Sequence, residues 1–128
     1  MAGRILLVED EAAVASSLKV VLETRGYTVV TAASTAQGTA ALRFDTFDLV
    51  VTDMKMETTS SGYEVVRIAH SQPYQPMIMI LTAFPILGQQ WRTAGAHAMV
   101  SKPVATEELL RVVARLLVLR PTRSRKRG

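Results

Sequence analysis

Cysteine is absent from this chain, and aromatic residues are few, with one tryptophan, three tyrosines and three phenylalanines in 128 residues. Without thiols there is neither a disulfide framework nor a thiolate metal centre, and nothing calls for an oxidising compartment. Long apolar runs are missing too. None approaches the ~20 residues that span a bilayer, and the stretch after Arg4 is too short for a signal-peptide core. No glycine-rich phosphate loop, Ser-His-Asp set or zinc-type His spacing can be found. The expectation is a soluble cytoplasmic protein with no membrane partner.

Charge of one sign is scarce everywhere but at one end. The formal net charge is +4, yet five of the fifteen cations, Arg120, Arg123, Arg125, Lys126 and Arg127, fall in residues 120–128. The other ten face eleven acids, so residues 1–119 sit at −1. A nucleic-acid surface needs Lys and Arg clustered on one face, which this body lacks. Contact with nucleic acid is expected only through the basic tail, and such contact would be salt-sensitive. The length suits one domain. Residues 1–119 are read as that domain, and 120–128 as a basic tail or the start of a linker.

What is present is an alternation of short strand-like and helix-like segments, the pattern of a parallel α/β sheet. Ile5 to Val8 is a solid apolar run, as in a strand buried on both faces. Val14, Leu18, Val21 and Leu22 then make one helical stripe ending near Arg25, with Gly26 as its left-handed cap. Thr28 to Thr31 reads as a second strand. Ser34 and Gln37 form a capping-box pattern that opens a helix through about Arg43. Asp48 to Asp53 is strand three, Gly62 to His70 a helix, and Met77 to Leu81 strand four. Only a short helix fits between Ile86 and Ala94. His97 to Val100 is strand five, and Thr106 is expected to cap a last helix reaching Leu119, with Glu107 and Glu108 against the positive end of its dipole. The apolar residues of that helix cover more than one face, which raises the odds of a homodimer.

Four of the apolar runs end in a reactive polar head: Glu9-Asp10, Asp53, Thr82 and Lys102. In open parallel sheets the carboxyl ends of the strands share one edge, and ligands bind in the crevice outside it. Clustered acids, a hydroxyl and an ammonium suit a divalent cation together with a phosphoryl group.

Five segments in order carry a family resemblance: Ile-Leu-Leu-Val-Glu-Asp-Glu at 5–11, Asp-Leu-Val-Val-Thr-Asp at 48–53, Ile-Leu-Thr-Ala at 80–83, Gly-Ala at 95–96 and Ser-Lys-Pro at 101–103. Over residues 3 to about 119 the chain resembles the receiver domain of two-component response regulators. The resemblance implies a flavodoxin-like (βα)5 fold, a doubly wound five-stranded parallel sheet of order 2-1-3-4-5. It implies Asp53 as phosphoacceptor, with Mg2+ held by Asp10, Asp53 and the backbone carbonyl of Lys55, and with Glu9 acting through water. Thr82 and Lys102 would bind the phosphoryl oxygens, and Lys102-Pro103 would be a cis peptide bond. The implied partners are a cognate histidine kinase or phosphotransfer protein and an output partner or domain. Phosphotransfer to its own aspartate, and hydrolysis there, would not make the chain an enzyme acting on external substrates.

Departures from the family pattern accompany the matches. Met99 stands where an aromatic usually occupies the switch position. In the 54–62 loop Glu57 replaces the usual proline and Gly62 comes one residue late, so the loop is expected to be longer and less rigid. Lys55 and Phe84 flank the phosphoryl position, where they are expected to alter dephosphorylation. Thirteen positions separate Thr82 from Gly95, which implies a short or displaced fourth helix. Trp91 is expected to pack inward, and His70 and His97 to be surface or strand-end residues, not ligands. The leading expectation is a phosphorylation-dependent signalling switch. The alternative is a pseudo-receiver, a phosphorylation-independent interaction or dimerisation module, which Met99 and the altered loop favour.

Overall fold

The computed structural model describes residues 3–84 and 88–120. Its elements alternate strictly: β1 (Arg4–Val8), α1 (Ala12–Glu23), β2 (Thr28–Ala32), α2 (Thr35–Phe44), β3 (Leu49–Asp53), α3 (Ser61–His70), β4 (Met77–Thr82), α4 (Gln90–Ala94), β5 (Ala98–Ser101) and α5 (Thr106–Leu119). The five strands are parallel and lie in the order β2-β1-β3-β4-β5. The expected doubly wound α/β architecture is therefore the observed one.

The solid apolar runs have a simple cause. In a strand successive side chains point to opposite faces, and both faces of this sheet are covered by helices. Ile5, Leu7, Leu49, Val51, Met79 and Leu81 face one core, with Leu22 of α1 and Leu109, Val113 and Leu116 of α5. Leu6, Val8, Val50, Ile78 and Ile80 face the other, with Leu42 of α2, Val65, Val66 and Ala69 of α3, and Trp91 of α4. Trp91 packs inward as expected, and the Arg92 guanidinium lies 4.3 Å from its ring centroid.

Local signals mostly hold. Gly26 follows α1 at φ +88°, the left-handed conformation that glycine adopts without a Cβ penalty. The Ser34 hydroxyl accepts from the Gln37 N–H at 3.1 Å, but the Gln37 side chain reaches back to the Ala33 N–H at 2.8 Å instead of that of Ser34. The box is thus offset by one residue. Thr106 does not cap α5. The Ala105 carbonyl accepts the first helical bond from Leu109 at 2.9 Å, and Ala105 holds the extended backbone of a cap residue. Thr106 is already inside the helix, so the α5 start depends on Glu107 and Glu108.

The fourth helix is short, five residues, as the narrow Thr82–Gly95 spacing implies; Pro85 and Ile86 lie outside the described residues. On α5, Leu109, Leu110, Val113 and Leu116 are buried, whereas Val118 and Leu119 are exposed. Arg120 pairs with Asp48 at the foot of β3, so the first cation of the basic run is engaged by the domain. The remaining tail cations, Arg123 to Arg127, lie outside the described residues. No helix among the described residues is long and apolar enough to cross a membrane.

Candidate functional site

Strand register brings the polar heads together. Val8 pairs with Thr52, Asp53 with Leu81, and Thr82 with Ser101, so β1, β3, β4 and β5 stop at one level and release their next residues at the same edge. Backbone bonds fix those next residues as well: Glu9 N–H to Ala32 O at 2.9 Å, Met54 N–H to Leu81 O at 2.9 Å, and Lys102 N–H to Thr82 O at 2.8 Å. Glu9, Asp53 and Thr82 are buried although polar. Asp10 is exposed at the rim.

One carboxylate oxygen from each of Glu9, Asp10 and Asp53 lies within 4.8 Å of the others. The Lys102 ammonium reaches across from β5 and donates to Asp53 Oδ2 at 3.0 Å and to Glu9 Oε1 at 3.3 Å. The Lys102-Pro103 bond is cis, as the resemblance implied. Three acids against one ammonium leave a surplus of negative charge in a partly desolvated pocket. Burial and the nearby Asp53 charge raise the Glu9 pKa, opposed by the Glu11 N–H and by Lys102. Burial alone would lower the Lys102 pKa, but hydrogen bonding and attraction to Asp53 and Glu9 outweigh it and the net shift is upward.

Above these groups opens a cleft of about 640 Å3 lined by Asp10, Asp53, Lys55, Thr82, Phe84 and Lys102, among others. The donor set fits a hard divalent cation, because such ions take oxygen ligands and keep several waters. Thr82 is poised differently. Its hydroxyl donates to Phe84 O at 2.9 Å and accepts from the Phe84 N–H at 3.2 Å, forming a small ring with the start of the β4–α4 connection. Phe84 itself is exposed at the cleft mouth. Met99 is half-buried against the α2–α4 side of the core.

Gly62 is required by close approach. A Cβ there would stand 2.5 Å from the Asp53 carbonyl oxygen and 2.7 Å from Met54 Cα, so α3 rests directly on the backbone of β3's end. The 54–62 loop, which lacks proline, is held by other contacts. Gly62 N–H donates to Met54 O at 2.7 Å, Thr58 N–H to Ser61 Oγ at 2.8 Å, and Met54 and Met56 are buried. Glu57 grips Thr35 of α2 with both oxygens, accepting from Oγ1 at 2.7 Å and from N–H at 3.1 Å. Hydrogen bonds and side-chain anchors replace ring rigidity.

Sequence reading missed that grip, and it missed the partner of His97. His97 Nδ1 accepts from the Ile78 N–H at 3.0 Å, closing the β4 ladder where β5 begins. Desolvation of the ring and the nearby His70 lower the His97 pKa. Neither histidine belongs to the group of acids, and both stay at the surface as expected.

Comparison with known proteins gives a consistent result. The model of the "Response regulator receiver domain" family matches residues 5–114. Among solved structures, a CheY-like receiver domain protein from Methanospirillum hungatei is 30% identical, with a TM-score of 0.85 over 93% of this chain and 96% of that one. The receiver domain of the Pseudomonas aeruginosa sensor histidine kinase PA1611, solved with a magnesium ion coordinated in its active site cleft, is 25% identical, with a TM-score of 0.80 over 92% of this chain and 99% of that one. The alginate biosynthesis transcriptional regulatory protein AlgB of Pseudomonas aeruginosa is 32% identical over 125 residues, which are 96% of this chain and 28% of that protein. The chain thus spans little more than a quarter of the length of that curated relative. Fold, strand-end acids and the extent of the match agree, and the chain belongs to the response regulator receiver domain family.

Proposed function

We propose that this domain accepts a phosphoryl group on Asp53 from a histidine kinase or phosphotransfer protein and acts as a phosphorylation-dependent switch for an output partner or domain. The observation that carries the reading is the Lys102 ammonium held between Glu9 and Asp53 on the floor of an acid-lined cleft. A lone structural aspartate would not need a buried acid neighbour and a reaching cation. Magnesium would be held by Asp10, Asp53 and the Lys55 carbonyl, with Glu9 behind them; when bound it neutralises charge on the transferring group.

The chain's own residues supply the remainder. An Asp53 oxygen forms the new P–O bond while the donor's N–P bond breaks, and the electron pair stays on the donor imidazole, which is then protonated. This is covalent catalysis of the aspartyl-phosphate type. Lys102, already paired with Asp53, can follow the charge outward to a phosphoryl oxygen as a compact cation. Thr82 reaches another oxygen only by giving up its bond to Phe84 O, so phosphorylation would unmake the ring that holds the start of the β4–α4 connection. Such a step turns a covalent change into a movement of the cleft wall. Met99, with an unbranched thioether in place of a ring, can repack as that wall moves. Magnesium and a kinase donor are cytoplasmic reagents for such a switch.

The test is intact mass after incubation with acetyl phosphate, with and without magnesium, with Asp53→Asn as control. A magnesium-dependent gain of one phosphoryl group that is absent from the variant is expected. No gain in folded protein would overturn the reading.

A further inference from the structure

Glu57 lies outside the acid cluster and does not line the cleft above Asp53; it opens instead onto the neighbouring surface between α2 and α3. Yet it stands two residues after Lys55, the residue whose carbonyl is proposed to face magnesium. Met54 and Met56 are buried on either side of exposed Lys55, and Met56 alone separates that residue from Glu57. Among the described residues, no hydrogen bond uses the Lys55 carbonyl, which leaves it available. The other hydrogen bonds of residues 55–60 stay within the loop or reach the first turn of α3. The two bonds from Thr35 to Glu57 are the ones that tie this stretch to a different element.

We infer that Glu57 is a positioning residue: its two-oxygen clasp on Thr35 fixes the loop so that the Lys55 carbonyl is held ready for a divalent cation, the task a rigid loop would otherwise perform. This rests on the magnesium reading given above. Magnesium demands near-ideal octahedral geometry, so an oxygen free to wander is a poorer ligand than one held in place. The clasp is also a cap, since the Thr35 N–H is one of the donors that the first turn of α2 leaves without a helical partner. A purely capping role would change stability and leave cation affinity alone.

The test is titration calorimetry of the full chain with magnesium chloride, beside thermal melts in its absence. Glu57→Ala should weaken magnesium binding about tenfold, the lower end of what loss of a ligand-orienting partner costs. Thr35→Ala, which removes one of the two bonds, should weaken it by a smaller factor, and the double variant should match Glu57→Ala alone. Glu57→Gln keeps an oxygen for the Thr35 hydroxyl and should retain most of the affinity. Unchanged affinity in Glu57→Ala overturns the clasp. So does equal loss in Glu57→Gln and Glu57→Ala with Thr35→Ala unaffected, which would mean that the charge alone attracts the cation. Wild-type protein that binds no magnesium, or binds it equally after Asp53→Asn and Asp10→Asn, overturns the magnesium reading and the clasp with it.

Discussion

Gly62→Ala sets two known effects against each other at the end of β3. In an exposed helix, alanine for glycine stabilises by about 1 kcal/mol, because the unfolded chain has less freedom to lose. Here the new methyl would lie 2.5 Å from the Asp53 carbonyl oxygen and 2.7 Å from Met54 Cα. Carbon atoms rest comfortably at about 3.5–4.0 Å, so α3 or the end of β3 must retreat by roughly 1 Å. Neither neighbour is the free tip of a flexible side chain. Overpacking of a tight contact costs roughly 1–3 kcal/mol, and a clash with backbone belongs at the top of that range. The clash wins, leaving a net loss of about 2 kcal/mol. At roughly 4 °C per kcal/mol for a domain of this size, the melting temperature should fall by roughly 8 °C. The displaced backbone carries Asp53, so acetyl phosphate labelling should slow even at temperatures where the variant is fully folded. The assay is a thermal melt with labelling measured at 15 °C. A variant as stable as the parent, or more so, would refute the claim that α3 rests on the peptide group of Asp53.

Magnesium at about one hundred times its Kd should stabilise the folded state by about 2.7 kcal/mol, raising the wild-type melting temperature by roughly 10 °C; Asp53→Asn should lose most of that gain. The Tyr74 hydroxyl donates to Leu42 O at 2.8 Å, and burial, with a contribution from Asp45, pushes its pKa up to about 12. The folded value lies above the ordinary 10.0, so the stability it contributes is complete below pH 10.0 and is lost as pH rises toward 12, which denaturant melts across that window would detect. Tyr74→Phe leaves a last-turn carbonyl of α2 without its donor and should cost about 1 kcal/mol in urea unfolding. His97 has the opposite sign: its folded pKa lies below the ordinary 6.5, so its contribution is complete above that value and falls away as the pH drops beneath it. Protonation also puts a hydrogen on the Nδ1 that accepts from Ile78, and His97→Gln should flatten the acid limb of a stability profile.

The fold and the acid cluster were legible because one physical requirement wrote both. A strand buried on two faces must be apolar throughout, so its end is marked by the first polar residue, and in a parallel sheet those ends share an edge. Glu9 and Thr82 are each that first polar residue, and Asp53 and Lys102 each follow it by one, after Thr52 and Ser101. The Glu57 grip was not legible. It joins polar surface residues 22 positions apart, and neither has a periodicity or a turn signature that names its partner. Nor were the loop's other anchors legible: Met54 and Met56 turn inward beside that grip, a burial pattern too short to register as a period. Thr106 misled for a local reason. A cap is defined by extended backbone, and the residue with that backbone is its neighbour Ala105, whose side chain has nothing to offer.

Where each functional group sits in the sheet decides the order in which the site would fail. Asp53 belongs to β3, the middle strand, hydrogen-bonded on both sides and buried along its whole length. Exposing its backbone to exchange with solvent requires opening most of the domain. Lys102 hangs from β5, a four-residue edge strand with partly exposed flanks. Edge elements with few buried contacts open at much lower free energy than the interior. Under mild heat or denaturant the ammonium should therefore leave while the carboxylates remain in place. The domain would pass through a state that is still folded around its acids and lacks the cation proposed to draw the phosphoryl group to them, so on that reading phosphoryl acceptance should be lost before the sheet melts.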